Sequence, residues 1–247
     1  MSEYINGKAG AREDLCRFLA ACYYEPTTDF AEEHLFDSML AAASAIHPDL
    51  AECARKLGKE FVAQDIETLL VDHTALFIGP SQPRAMPYGS FWQTTDQSMR
   101  HDAMMAVVDI YEQGGFEVSD DVRDFPDHVA VELEFLYALI FAQNEAQLSG
   151  NVDDLSAANA LHRRFLDEHL CAWFDAFSTA VHSGAETAFY RELADLTRRF
   201  VRMERDAGFV VDDESVATHG HHVCSEKTLG IGANTGTKVE VNATRLP

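Results

Sequence analysis

The sequence predicts an all-α protein, a single globular helical unit followed by a low-order C-terminal tail. Apolar residues recur at helical spacing through nearly all of the chain up to Gly208. The first such segment carries them at i, i+3, i+4 and i+7, as Leu15, Phe18, Leu19 and Cys22. With 247 residues, 47% of them hydrophobic, the chain has ample apolar side chains to build a core.

Proline and glycine divide the first half of this helical region. Separate helices are predicted on either side of Pro26, Pro48 and Gly58, the last of them over about 59–77. Residues 79–89 then contain three prolines and two glycines, which cannot continue a helix. An extended loop is therefore predicted there.

The second half follows the same logic. Thr95 or Asp96 is expected to cap the next helix, which ends at Gly114-Gly115. An acidic link then leads to the last helices, predicted over about 126–148, over 154–181 with a break near Asp167, and over 187–204. Beyond residue 208 the chain is polar and rich in Gly and Thr, so residues 209–247 are expected to be a mobile tail or a docking arm.

The helix that starts at Pro126-Asp127-His128 is apolar on nearly every side, which is typical of a buried central helix. Asp124 or Asp127 is expected to cap it. His128 and Glu132 stand one turn apart on the same side, where ionisable groups are costly unless they are paired or used. They either form an internal pair or belong to a functional site.

Charge narrows the classes of function. Lys+Arg number 19 against 41 Asp+Glu, a net charge of −22, which disfavours nucleic-acid binding because phosphates require a basic surface. The same excess favours cationic partners, or it serves only solubility.

The cysteines and the N-terminus indicate a compartment. Five cysteines without a CxxC pair indicate a reducing environment. No export signal is apparent at the N-terminus, and no apolar run is long enough for membrane insertion. We therefore expect a cytoplasmic, soluble protein.

Several enzyme chemistries lack their motifs. The sequence has no Glu-x-x-His, no His-Glu-x-x-His and no phosphate-binding GxxxxGK[ST]. His219 to Cys224 is rich in metal-ligating residues, but in a tail it predicts fortuitous affinity. Neither a catalytic set nor a cofactor or metal site is expected.

Three segments in order resemble the TorD/DmsD/NarJ-type family of redox-enzyme maturation chaperones, over about residues 11 to 205. The first comprises 76–80 and 85–88, the second Pro126-Asp127-His128 with 132–136, and the third 165–170, Trp173, 189–190 and 193–194. One departure is Gly89, where the family often has an acidic residue.

The resemblance implies an all-helical fold in two parts, about 11–124 and 125–208, joined near the Pro-Asp-His segment and preceded by a lead-in over 1–10. It also implies a non-catalytic chaperone. Such a protein binds the paired-arginine leader, and often the body, of the catalytic subunit of a molybdopterin-dependent oxidoreductase before export or assembly. A monomer and a homodimer are both open.

The leader contacts are expected at the helix start and at the preceding loop. The residues are Asp127, His128, Glu132 and Glu134, with Tyr88, Phe91 and Trp92 as apolar or stacking surface. Two alternatives remain open at this point: a helical metal-dependent enzyme that uses His128 and Glu132, and an acidic peptide-binding adaptor unrelated to molybdoenzymes.

Overall fold

The computed structural model describes residues 2–79, 82–118, 124–207 and 240–241. The all-α prediction is confirmed. The helices are α1 (Ser2–Cys22), α2 (Asp29–Glu32), α3 (Leu35–Ile46), α4 (Pro48–Val62), α5 (Ile66–His73), α6 (Gly89–Gln93), α7 (Arg100–Gln113), α8 (Val129–Ser149), α9 (Val152–Phe165), α10 (Cys171–Gly184) and α11 (Ala188–Ala207). Two extended pieces, β1 (Glu117–Val118) and β2 (Glu240–Val241), accompany them.

Helix α8 is the axis of the fold, as its composition predicts. Leu133, Leu136 and Ile140 share one face of the helix and Val131 and Phe135 lie on the other side, yet all five are buried. Helices α1 and α9 pack along α8, α4 packs against α3 and α11, and α10 packs against α11. The first and last helices of the unit therefore both belong to the same core.

The predicted helix boundary at Gly58 is wrong. Helix α4 continues through Gly58 to Val62, and α5 starts after Asp65, whose carboxylate accepts a hydrogen bond from the Thr68 amide at 2.7 Å. A Cβ at position 58 would lie 3.3 Å from the Cβ of Phe36. The glycine thus allows α4 to approach α3 closely, and it does not end the helix.

The predicted break near Asp167 takes the form of a wider turn. Residues Leu166–Leu170 form a π-helical turn between α9 and α10. A second π-helical turn, Thr74–Ile78, follows α5 and leads into the loop before α6. Neither turn contains a proline or a glycine.

The expected aspartate cap of α8 is also wrong. The N-cap is His128, whose Nδ1 accepts a hydrogen bond from the Ala130 amide at 3.2 Å. The Asp127 carboxylate instead accepts from the Ser90 amide at 2.8 Å. An imidazole nitrogen replaces the carboxylate at the helix end because the carboxylate is engaged by the preceding loop.

A buried ionic network joins the two ends of the helical unit. Arg12 on α1 donates two hydrogen bonds, of 2.8 and 2.6 Å, to the carboxylate of Glu204 on α11, and His162 on α9 lies 3.2 Å from that carboxylate. Burial alone would raise the pKa of Glu204, but the hydrogen bonds from Arg12 and His162 hold it at about 2. The carboxylate is therefore charged at neutral pH.

The predicted low-order tail, residues 209–247, lies outside the described residues except for β2. Glu240 and Val241 pair in parallel with Glu117 and Val118, respectively. None of the helices that the structure describes is both long and apolar enough to span a membrane.

Candidate functional site

Backbone hydrogen bonds tie the loop before α6 to the start of α8. The Gly89 amide donates to the Asp127 carbonyl oxygen at 2.9 Å, and the Val129 amide donates to the Pro87 carbonyl oxygen at 2.8 Å. The predicted loop and the Pro-Asp-His segment, far apart in the sequence, are thus one structural unit. The side chains of this unit form the candidate site.

Asp127 is an internal member of the unit. Its side chain is only 3% exposed, and its carboxylate accepts the Ser90 amide hydrogen bond at the first turn of α6. Helix α6 has five residues, too few to hold its position by itself. Asp127 therefore fixes the orientation of α6 and of the aromatic residues on it.

His128 lies between two tyrosines. Its ring stacks on Tyr24 with 6.0 Å between ring centroids and meets Tyr88 edge-on at 5.3 Å. Burial lowers the pKa of His128 to about 4, although the charge of Asp124 acts in the opposite direction. The imidazole is therefore neutral at pH 7, with Nδ1 used as the helix cap.

Glu132 faces away from this group, into the protein. Its carboxyl group is 1% exposed and accepts hydrogen bonds from Trp173 Nε1 at 3.2 and 3.1 Å. Burial raises the pKa of Glu132 well above its ordinary value, because a charged carboxylate is costly in this apolar surrounding. Its side chain and that of His128, although one turn apart, have different partners.

Gly89 packs directly on this Glu132–Trp173 pair. A Cβ at position 89 would lie 2.8 Å from Trp173 Nε1 and 2.9 Å from a carboxyl oxygen of Glu132. Any larger side chain would have to displace the pair or the loop. This contact explains physically why glycine stands at position 89.

Glu134 lies on the opposite side of α8, in a group that we call the tyrosine–acid cluster, made of Tyr24, Tyr88, Asp124 and Glu134. The Tyr24 hydroxyl donates to one carboxylate oxygen of Glu134 at 3.1 Å, and the Tyr88 hydroxyl donates to Asp124 at 3.4 Å. All four side chains are half-buried. His128 forms the floor of the cluster.

The second carboxylate oxygen of Glu134 is buried and has no hydrogen-bond partner among the residues that the structure describes. The pKa of Glu134 is raised to about 7. Burial is the main cause, the hydrogen bond from Tyr24 opposes it, and the nearby charge of Asp124 adds to it. A guanidinium has the chemistry to fill this place, because it donates paired hydrogen bonds to carboxylates and stacks on aromatic rings.

An apolar groove of about 230 Å³ adjoins the cluster, and we call it the Phe91 groove. Its apolar lining consists of Met86, Tyr88, Phe91, Met104 and Phe125. Phe125 is 61% exposed. Flexible methionines and exposed aromatic rings suit an apolar ligand of variable shape.

The two aromatic residues of α6 have defined contacts beside this groove. The Trp92 indole N–H donates to the Met86 carbonyl oxygen at 2.7 Å, and Phe91 lies edge-on to Trp92 with 5.2 Å between ring centroids. The Arg100 guanidinium lies 4.8 Å from the Phe91 ring. Both rings are half-buried and keep part of their surface open to solvent.

The described residues provide no ligand set for the alternative of a metal-dependent enzyme. Among these residues, no group of three or more His, Cys, Asp or Glu side chains is arranged to hold a metal ion. His128 uses Nδ1 as the helix cap, and Glu132 accepts from Trp173. Neither is oriented to share a ligand with the other.

The structure thus separates the expected site residues into two groups. Tyr88, His128 and Glu134 come together, with Phe91 and Trp92 beside them. Asp127 and Glu132 are buried and hold α6 and Trp173, although Asp127 also lines the Phe91 groove. Sequence reasoning missed Tyr24 and assigned Asp124 only as a cap. A tyrosine directly after the apolar face of α1 was the one available signal for Tyr24.

Comparison with known proteins identifies the family. The family model for the nitrate reductase delta subunit matches residues 37–179, which is more than half of the chain. The chain belongs to this family. The resemblance to NarJ/TorD-type redox-enzyme maturation chaperones is therefore confirmed.

Relatives in the nitrate reductase delta subunit family include named chaperones. The chain is 25% identical to "Chaperone protein TorD" of Vibrio atlanticus over 136 residues, 55% of this chain and 62% of that protein. It is 25% identical to "Chaperone protein TorD" of Vibrio vulnificus, over 71% of this chain and 80% of that protein. A "Selenate reductase assembly chaperone protein" of Thauera selenatis is 30% identical, over 59% of this chain and 75% of that protein. The match thus spans less than two thirds of the first relative.

Proposed function

We propose that this protein is a chaperone for the catalytic subunit of a molybdopterin-dependent oxidoreductase. It binds the leader peptide, and the body, of that subunit in the cytoplasm while the cofactor is loaded and before export or assembly. Membership of the nitrate reductase delta subunit family supports this role, and so do relatives named as chaperones, one of them for selenate reductase assembly. In this role the protein catalyses no reaction.

The observation that carries leader binding is the unpartnered oxygen of Glu134. A buried acceptor without a donor costs roughly 1–3 kcal/mol, which a bound donor recovers. An arginine of the leader donates to this oxygen, and Asp124 adds a second negative charge beside it. Tyr24 and Tyr88 offer ring faces to the guanidinium.

The apolar part of the leader lies in the Phe91 groove. This groove shares Tyr88 with the tyrosine–acid cluster, so one extended peptide can contact both. Phe91 and Trp92 provide the stacking surface. Asp127, His128 and Glu132 act as positioning residues, because they hold α6, the floor of the cluster and Trp173.

A peptide-binding measurement tests the proposal. A labelled peptide with paired arginines followed by an apolar stretch is titrated with the protein, and its anisotropy is recorded. Glu134→Gln removes a charge-assisted hydrogen bond, so the affinity should fall about ten- to a hundredfold. Glu112→Gln, an exposed glutamate on α7, makes the same change in charge and serves as the matched control.

Two changes of condition sharpen this test. Replacing the peptide arginines with lysines should weaken binding, because lysine lacks the fork of donors. Raising the salt concentration should slow association, because charges are screened over about 10 Å in 0.1 M salt. Equal affinities for Glu134→Gln and Glu112→Gln would contradict the role of the cluster in leader binding.

The pH dependence follows from the raised pKa of Glu134. A proton competes with the guanidinium for the carboxylate, so affinity should fall as the pH is lowered through about 7. Glu134→Gln should abolish this dependence in that range. A wild-type affinity that stays constant from about pH 6 to about pH 8 would refute the assignment of Glu134 as the arginine acceptor.

A further inference from the structure

A second apolar groove lies on the far end of α8 and is not used by the proposed function. It has a volume of about 320 Å³ and lies among the end of α7, α8 and α9. Its apolar lining includes Phe116, Phe135, Leu139, Phe141 and Leu161. We call it the Phe141 groove, after the aromatic residue that is 37% exposed at its edge.

Acidic residues stand at the rim of this groove. Glu145 on α8 and Asp154 on α9 both line it, and Glu145 is exposed. Asp154 is already engaged by Asn151, whose side-chain amide donates to its carboxylate at 2.6 Å. An occupant that is apolar and carries positive charge therefore fits the groove best, with the exposed Glu145 at its rim.

The C-terminal part of this chain has that chemistry and comes next to the groove. Strand β1 begins directly after Phe116, and β2 pairs with it in parallel, Glu117 with Glu240 and Val118 with Val241. In the sequence, residues 237–247 combine Val239, Val241 and Leu246 with two cations, Lys238 and Arg245. This segment thus matches both the apolar lining and the acidic rim.

The chain is long enough for its C-terminal segment to reach the Phe141 groove. Thirty-two residues lie between Ala207, the last residue of α11, and Glu240, the first of β2. Extended, such a segment spans up to roughly 100 Å, far more than the width of one helical domain. Gly114, Gly115 and Phe116, which directly precede β1, also line the groove, so a parallel partner of β1 begins at the edge of the groove.

We propose that the C-terminal segment, residues 237–247, is an intramolecular ligand of the Phe141 groove. It adds to β1 as an extended strand and covers the apolar side chains, while Lys238, which precedes β2, lies near Glu145. Strand addition of this kind gains backbone hydrogen bonds from the edge and specificity from side-chain pockets.

Site-specific photo-crosslinking in the full-length protein tests the proposal. p-Benzoylphenylalanine is placed at position 141, and in a matched variant at position 125, another exposed phenylalanine. The crosslinked peptides are identified by mass spectrometry. Position 141 should crosslink to residues 237–247 within one chain, and position 125 should not. The melting temperature of each variant checks that it is folded.

A charge exchange separates docking from chance proximity. Replacing Lys238 by glutamate should reduce the crosslink yield about two- to fivefold, the effect expected of a partly exposed ion pair. Adding Glu145→Lys should restore part of the yield. Crosslinks from position 141 that avoid residues 237–247, or that join two chains only, would overturn the proposal. Neither result bears on leader binding by the tyrosine–acid cluster.

Discussion

Replacing Glu132 with glutamine should stabilise the protein, and increasingly so as the pH rises. Burial raises the pKa of Glu132 well above its ordinary value of 4.5. In the unfolded chain the side chain ionises near that ordinary value. Between this value and the raised pKa of the folded state, the folded protein therefore binds more protons than the unfolded chain. Stability then falls as the pH rises through this window, by at most about 1.4 kcal/mol per pH unit. Glutamine does not titrate and removes this loss.

The structure also indicates why glutamine fits. Trp173 Nε1 donates to the carboxyl group at 3.1 and 3.2 Å, and the amide oxygen of glutamine accepts the same hydrogen bond. Glu132→Ala removes the acceptor and leaves a buried indole N–H without a partner. Relative to Glu132→Gln, that change should cost about 1–3 kcal/mol at every pH.

The measurement is urea unfolding followed by circular dichroism, for the wild type and both variants, at several pH values from about 5 to about 8.5. The difference between Glu132→Gln and wild type isolates one group, since all other titrating groups are shared. Glu112→Gln, exposed on α7, controls for the change in net charge. If Glu132→Gln and wild type lose stability in parallel as the pH rises, Glu132 is ionised in the folded protein and the reasoning fails.

Three further changes have defined outcomes. Asp127→Ala removes the acceptor of the Ser90 amide and should lower the free energy of unfolding by about 1–3 kcal/mol, measured by urea unfolding. The affinity for the peptide per folded molecule should fall less than for Glu134→Gln. Glu204→Gln breaks the ionic network and should cost about 3–5 kcal/mol; the wild type should lose this contribution as the pH falls from about 4.5 towards about 2, seen by acid titration of the circular dichroism. Gly89→Ala should lower the melting temperature because its Cβ would meet Trp173 Nε1 at 2.8 Å, whereas Gly10→Ala, with no atom within 4 Å, should not.

The central position of α8 and the loop at 79–89 were predictable because both depend on local composition. A helix that is apolar on every side must be surrounded, and three prolines exclude a helix. The continuation of α4 through Gly58 was not predictable, since it depends on Phe36 of a neighbouring helix. The sequence marks where a glycine stands, and only the packing decides whether it ends a helix.

The candidate site was predicted in part for a similar reason. Glu132 and Glu134 are two positions apart, about 200° around the helix, so they must face opposite sides. Which side meets the core depends on Trp173 of α10 and on Tyr24, which follows α1, both far away in the sequence. Likewise Asp127 and His128 both suit a helix cap, and the Ser90 amide of the distant loop decides between them.

The Arg12–Glu204 ion pair has a consequence for biosynthesis. The two residues are 192 positions apart, and the helix that carries Arg12 packs against α8 and touches α11. During translation at about 5–20 residues per second, the first helix therefore waits roughly 10 to 40 s for its last partner to be made. Its apolar side, with Leu15 and Leu19, has no complete binding surface until then. The nascent protein thus depends on late-made segments for closure, and a ribosome that stalls before Glu204 would hold an open form.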